Sequence, residues 1–85
     1  MKLKVLYFAS IREKVGKESE DVELPKGVST VWELKKHLQG RGGAWAEALA
    51  DNKLLRMAVN QDMAQGTAAI KAGDEVAFFP PVTGG

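Results

Sequence analysis

Apolar and polar residues alternate near both ends of the chain and recur at helical spacing in its middle. "KLKVLYFA" (Lys2–Ala9) is rich in β-branched and aromatic residues and predicts a strand. Leu3, Val5 and Tyr7 fall on one face of it, and Lys4, Leu6 and Phe8 on the other. "SIREKVG" predicts a short helical turn, capped by Ser10 and stopped by Gly16. "ESEDVEL" (Glu18–Leu24) alternates weakly, with Val22 and Leu24 inward, and suits a strand joined to the first as a hairpin. Pro25-Lys26-Gly27 is a turn signal.

The strongest helical pattern is "STVWELKKHLQG". Thr30 and Glu33 have the T-x-x-E spacing of a capping box. Val31, Leu34 and Leu38 share a face, and Gly40 is a natural stop. After "GRGG", "AWAEALA" (Ala44–Ala50) predicts a second short helix. A third strand is expected near Leu55–Asn60, and a short edge segment within "GTAAIKAGD", ending in a turn at Ala72-Gly73-Asp74. "EVAFFP" (Glu75–Pro80) is the last strand, closed by a proline that cannot donate to a ladder. This order predicts an α+β domain, a mixed sheet packed on one main helix, over residues 1–79, with an extended tail over 80–85. First and last strands are both strongly apolar and are expected to be central neighbours. Val5, Tyr7, Val76 and Phe78 then face the helix. Leu6, Phe8, Ala77 and Phe79 are left on the far face, joined by Met63 from the loop after Asn60. A contiguous aromatic cluster of this kind marks an interaction surface, unless "AWAEALA" covers it internally.

Composition narrows the chemistry. The 85 residues suffice for one domain. Twelve basic and eleven acidic residues give a net charge of +1 with no basic block, which argues against nucleic-acid or anionic-membrane binding. The absence of cysteine excludes disulfides, Cys-ligated metals and thiol nucleophiles. No apolar run approaches the ~18 residues of a spanning helix, and no signal-peptide pattern follows Met1, so a cytoplasmic protein is expected. His37 has no carboxylate set to orient it. Ser10, Ser19 and Ser29 lack a nucleophile-elbow context. "GRGG" lacks the phosphate-cradling pattern, and Asp62, Asp74 and Glu75 are too scattered for a metal.

What remains is the terminus, "FFPPVTGG". Pro80-Pro81 bias the chain toward polyproline geometry, ~3.1 Å per residue, and Phe79 before proline is also held extended. Pro80 to Gly85 can therefore project roughly 20 Å. The tip is slender enough for a channel in which a β-carbon would collide. Its only reactive group is the Gly85 α-carboxylate. A free carboxylate is inert to nucleophiles until activated, most simply by adenylation with ATP. The acyl group can then pass to an amine, a thiol or a sulfur donor. With no cysteine here, other proteins must supply the sulfur.

"VLYFASIREKVG", "KLLRMAVNQ" and above all "GDEVAFFPPVTGG" resemble the small, sulfur-carrying subunit of molybdopterin synthase, across essentially the whole chain. The resemblance implies a ubiquitin-like β-grasp fold and no bound cofactor or metal. It implies three partners: an adenylating enzyme that uses ATP, a sulfurtransferase donor, and the large catalytic subunit of the synthase, with neither nucleic acid nor membrane involved. Gly85 would become an acyl-adenylate and then a thiocarboxylate, which gives its sulfur to a cyclic pyranopterin monophosphate in the pocket of the large subunit. Two charged carriers would be consumed per dithiolene, in an assembly of two small and two large subunits. The chain is thus expected to be a protein cosubstrate more than a catalyst. Gly84 would give clearance, Val82 and Thr83 would line the channel, Pro80 and Pro81 would set the stalk, and Phe8, Met63 and Phe79 would form the subunit contact. Arg12, Lys53 and Arg56 match basic positions of the family, though solvated charge is the plainer reading. Three alternatives stay open: a thiamine-pathway sulfur carrier, a modifier conjugated to lysine through Gly85, and an interaction domain with an inert terminus.

Overall fold

In the computed structural model, which describes residues 1–81, period-two alternation becomes burial. The first strand, β1 (Lys2–Tyr7), buries Leu3, Val5 and Tyr7. It leads through α1 (Ala9–Val15) to β2 (Ser19–Glu23), its antiparallel neighbour. Next come α2 (Val31–Gln39), α3 (Gly43–Ala48), β3 (Arg56–Val59), β4 (Asp62–Ala64) and β5 (Glu75–Phe79). The sheet order is β2-β1-β5-β3-β4. β1 and β5 are parallel, and β3 is antiparallel to β5. The last strand is therefore the middle strand of five, hydrogen-bonded on both edges.

One face of the sheet packs on the helices. Val5, Tyr7, Val76 and Phe78 meet Val31, Leu34 and Leu38 of α2, all essentially inaccessible to solvent. The α3 helix joins the same side: Ala48 and Leu49 are buried in this core, and Trp45 packs against it. It does not cover the opposite face.

The start of α2 is fixed by its sequence. Thr30 Oγ1 accepts from the Glu33 amide at 3.2 Å, and the Glu33 carboxylate accepts from the Thr30 amide at 3.1 Å. Two further first-turn amides are satisfied from outside the helix: Val31 donates to the Ala68 carbonyl and Trp32 to that of Gly66. Thr30→Ala removes the cap and is expected to cost about 1 kcal/mol, lowering Tm by roughly 4–8 °C in calorimetry.

Asp51 ties the end of α2 to the following loop. It accepts from Gln39 at 2.9 Å and from Lys36 at 3.0 Å, and the Lys35 ammonium lies 3.5 Å away. The Gln39 hydrogen bond, then that of Lys36, hold its carboxyl at about 2. The folded state thus binds a proton less readily than the unfolded chain. The resulting stability is present above the ordinary aspartate value of 3.8 and is lost as pH falls toward about 2. Asp51→Asn is expected to flatten that part of an acid-denaturation profile.

Several local expectations require correction. Ser10 lies inside α1 and does not cap it. The N-cap is Phe8, with extended backbone and no side-chain capping bond. Gly16 does end α1, in the left-handed region at φ 79°. β1 and β2 do pair antiparallel, with α1 as their connection. The short strand falls at Asp62–Ala64, ahead of the 66–74 stretch, within which Ala69 makes a single bridge to Thr30. Asn60 and Gln61 take the positive φ values of a tight turn, so β3 folds straight back into β4 and Met63 sits on a strand. Gly40 ends α2 in right-handed geometry rather than left-handed.

Candidate functional site

The far face of the sheet is organised in rows set by strand register. Met63, Ala58, Ala77 and Leu6 lie side by side across β4, β3, β5 and β1. One step toward the chain terminus, Phe79 pairs with Arg56. Phe8 comes alongside, its amide donating to the Phe78 carbonyl at 3.2 Å. The Phe8 and Phe79 rings meet edge to face, centroids 6.4 Å apart. Toward the other end of the strands the same face becomes charged: Lys4 stands between Glu75 and Asp21, and Lys2 opposite Glu23. The apolar half forms an open groove of about 830 Å³, whose lining includes Phe8, Met63, Phe79, Pro80 and Pro81. Met63 is 64% exposed and Phe8 45%. Burying a side chain of this size against a partner is worth about 1.5–3 kcal/mol.

A polar cluster holds the end of β1 that presents Phe8. Tyr7, the preceding residue, donates to Glu20 at 2.7 Å and accepts from the Trp45 indole at 3.0 Å. Arg41 donates to the same Glu20 oxygen at 2.8 Å and lies 5.0 Å from the Trp45 ring centroid. Burial, then the bond to Glu20, push the Tyr7 phenol above its ordinary range, so it stays a neutral donor. Burial opposes ionisation of Glu20, but hydrogen bonds from Arg41 and Tyr7 outweigh it and hold the carboxyl below its ordinary value. Next to Phe8, Ala9 takes φ 51°, turning the chain sharply from strand to helix.

Phe8, Met63, Phe79, Pro80 and Pro81 are therefore brought together, and the strand ends where Pro80 begins. Val82, Thr83, Gly84 and Gly85, expected to form the channel-lining tail and its reactive tip, lie outside the described residues. His37 is half-buried on α2 and takes no part in the groove. The three basic candidates separate: Arg12 is exposed on α1, Arg56 stands opposite Phe79, and Lys53 lines a different groove. Ala58 is a groove residue that the sequence does not announce. Its signal is the β3–β5 register, which a single strand pattern does not contain. Among the described residues no group of three or more His, Asp or Glu side chains could hold a metal. No helix among them is long and apolar enough to cross a membrane.

A mixed five-stranded sheet on one principal helix, its C-terminal strand at the centre, is the ubiquitin-like β-grasp. Solved structures agree. The putative molybdopterin converting factor subunit 1 from Pyrococcus furiosus superimposes with a TM-score of 0.78 at 31% identity, covering 96% of this chain and 99% of that one. The complex of subunits 1 and 2 of molybdopterin-converting factor from Helicobacter pylori matches over the full length of both chains, with a TM-score of 0.66 and 24% identity, a likeness of fold alone.

The chain belongs to the ThiS family, whose pattern matches residues 5–85. It is 47% identical over 83 residues to the molybdopterin synthase sulfur carrier subunit of Escherichia coli, spanning 98% of this chain and 99% of that protein.

Proposed function

We propose that this chain is the sulfur-carrier subunit of a molybdopterin synthase, with Gly85 as the carrying residue. One observation supports this reading most. The central, doubly paired strand β5 ends at Pro80-Pro81, directly beside an apolar groove, in a chain similar throughout to a sulfur carrier. A tail leaving from a central strand has a fixed origin and direction, which an edge or frayed terminus would not provide. The groove supplies docking area next to that origin. The tail supplies reach, and the terminal glycines supply the narrow cross-section a channel requires.

In this scheme an adenylating enzyme transfers AMP from ATP to the Gly85 carboxylate and releases pyrophosphate. Sulfur held as a persulfide on a sulfurtransferase displaces AMP to form an acyl disulfide, which a thiol reductant cleaves, leaving a thiocarboxylate and a disulfide. The groove then docks on the large subunit, whose pocket receives the tail. Sulfur passes to a cyclic pyranopterin monophosphate, and water restores the carboxylate. The acid–base groups for that last step belong to the large subunit. The residues of this chain dock, aim and carry.

Reconstitution tests the reading. Thiocarboxylated chain, purified large subunit and cyclic pyranopterin monophosphate are expected to give dithiolene product, with two carriers consumed per product. Absence of product, together with lysine-linked covalent ladders when only the activating enzyme and ATP are supplied, would establish a conjugated modifier instead.

A further inference from the structure

A second groove lies on the opposite flank of the stalk. It occupies about 530 Å³ between α1 and the segment preceding β3, and Pro80 and Pro81 line it just as they line the first. The two prolines are thus a ridge with a concavity on either side. The second groove contains Leu54, 82% exposed, together with Ile11, Lys14 and Lys53. A single exposed leucine is ordinary on a protein surface. One beside the stalk, in a concavity that shares Pro80 and Pro81 with the first groove, is placed for contact.

We infer that the large subunit grips this second groove as well as the first, with an acidic, partly apolar rim that meets Leu54, Lys14 and Lys53. The inference rests on the proposed carrier function. Its geometry follows from enclosure. A channel that receives an extended chain surrounds it on all sides, and a wall built of folded elements is at least ~10 Å thick. The wall around the tail must stand on both flanks of Pro80-Pro81, so it cannot touch the Phe8–Phe79 flank alone.

Charge defines the rim. Among the described residues, the lining of the second groove carries two lysines and no carboxylate. Lys14 has a partner in Glu47 at 3.5 Å, with both side chains about half exposed or more. Such a pair is weak and readily exchanged for a partner's acid. The first groove differs: among the described residues its one charged lining residue is Glu75. The two flanks therefore read different chemistries, one aromatic and one basic-aliphatic.

The test compares Leu54→Glu with wild type by calorimetric titration against purified large subunit. Because Leu54 is exposed, Leu54→Glu is expected to keep its Tm and to bind roughly tenfold or more weakly. Lys53→Glu is expected to weaken binding less, with a deficit that shrinks as salt is raised. Leu54→Ser, which adds no charge, is expected to bind more weakly at unchanged Tm, and it replaces Leu54→Glu should that variant melt early. Wild-type affinity in the Leu54 variants would overturn the inference. So would a defect confined to adenylation, which would assign the groove to the activating enzyme. Failure of the wild-type chain to bind the large subunit would instead overturn the carrier reading.

Discussion

Phe8→Asp is expected to abolish docking on the large subunit while the domain remains folded. Phe8 combines two roles that make it unusually informative. Its ring lies on the far face of the sheet, against Phe79 and at the edge of the stalk. Its backbone is the N-cap of α1, where no side-chain acceptor is present. Aspartate is among the residues favoured at an N-cap, worth about 1 kcal/mol. The edge-to-face packing on Phe79, which the substitution removes, is worth about 0.5–1.5 kcal/mol. These two effects offset, so Tm is expected to stay within a few degrees. Docking has no such compensation. The substitution removes the ring that fills the contact and sets a charge, even one held by helix amides, against an apolar surface, and a central aromatic anchor typically carries at least ~2 kcal/mol, about 30-fold in affinity. Titration against the large subunit, with a melting curve in parallel, separates the outcomes. Early melting would show that this face is part of the core.

Deleting Gly85 is expected to abolish sulfur transfer with no change in Tm. The shortened chain still ends in a carboxylate, so the chemical group is retained. It is withdrawn by one residue, about 3.3–3.6 Å of extended chain. A misplacement of ~1 Å can cost 10²-fold in a positioned reaction, so loss beyond that factor is expected at both activation and transfer. The ladder of β5 ends at Phe79, well before the deletion. A bulky residue at Gly84 is expected to act similarly at activation while leaving docking on the Phe8–Phe79 face intact. Normal dithiolene formation by either variant would remove the case for a narrow channel.

The parts of the fold that are legible in the sequence share one property: each is encoded within a short window. The alternation of Leu3, Val5 and Tyr7 assigns inner and outer faces without knowledge of any partner strand. Thr30 and Glu33 fix the start of α2 from three residues' spacing. The far-face pair Phe8 and Phe79 follows from the same alternation, once two apolar strands are placed side by side. What the sequence misplaces depends on distant contacts. Ser10 is the obvious capping residue, but the amide of Phe8 is held by the Phe78 carbonyl, and this sets the helix start two residues earlier. A three-residue strand is too short to show a period, so the pattern leaves Met63 in a loop; it is a strand residue only through its register with Ala58. The Tyr7–Glu20–Arg41–Trp45 cluster joins residues up to 38 apart in sequence, and no local pattern signals it. The second groove likewise exists only where α1, the loop before β3 and the stalk converge.

The proposed function turns on the chemistry of one carboxylate. Its most direct test is the intact mass of the purified chain after incubation with ATP, an activating enzyme and a sulfur donor. The expected result is replacement of a single oxygen by sulfur, located at Gly85 by fragmentation and absent when ATP is withheld. An unchanged mass, with the activating enzyme shown to hydrolyse ATP and the sulfur donor shown to be charged, would contradict it.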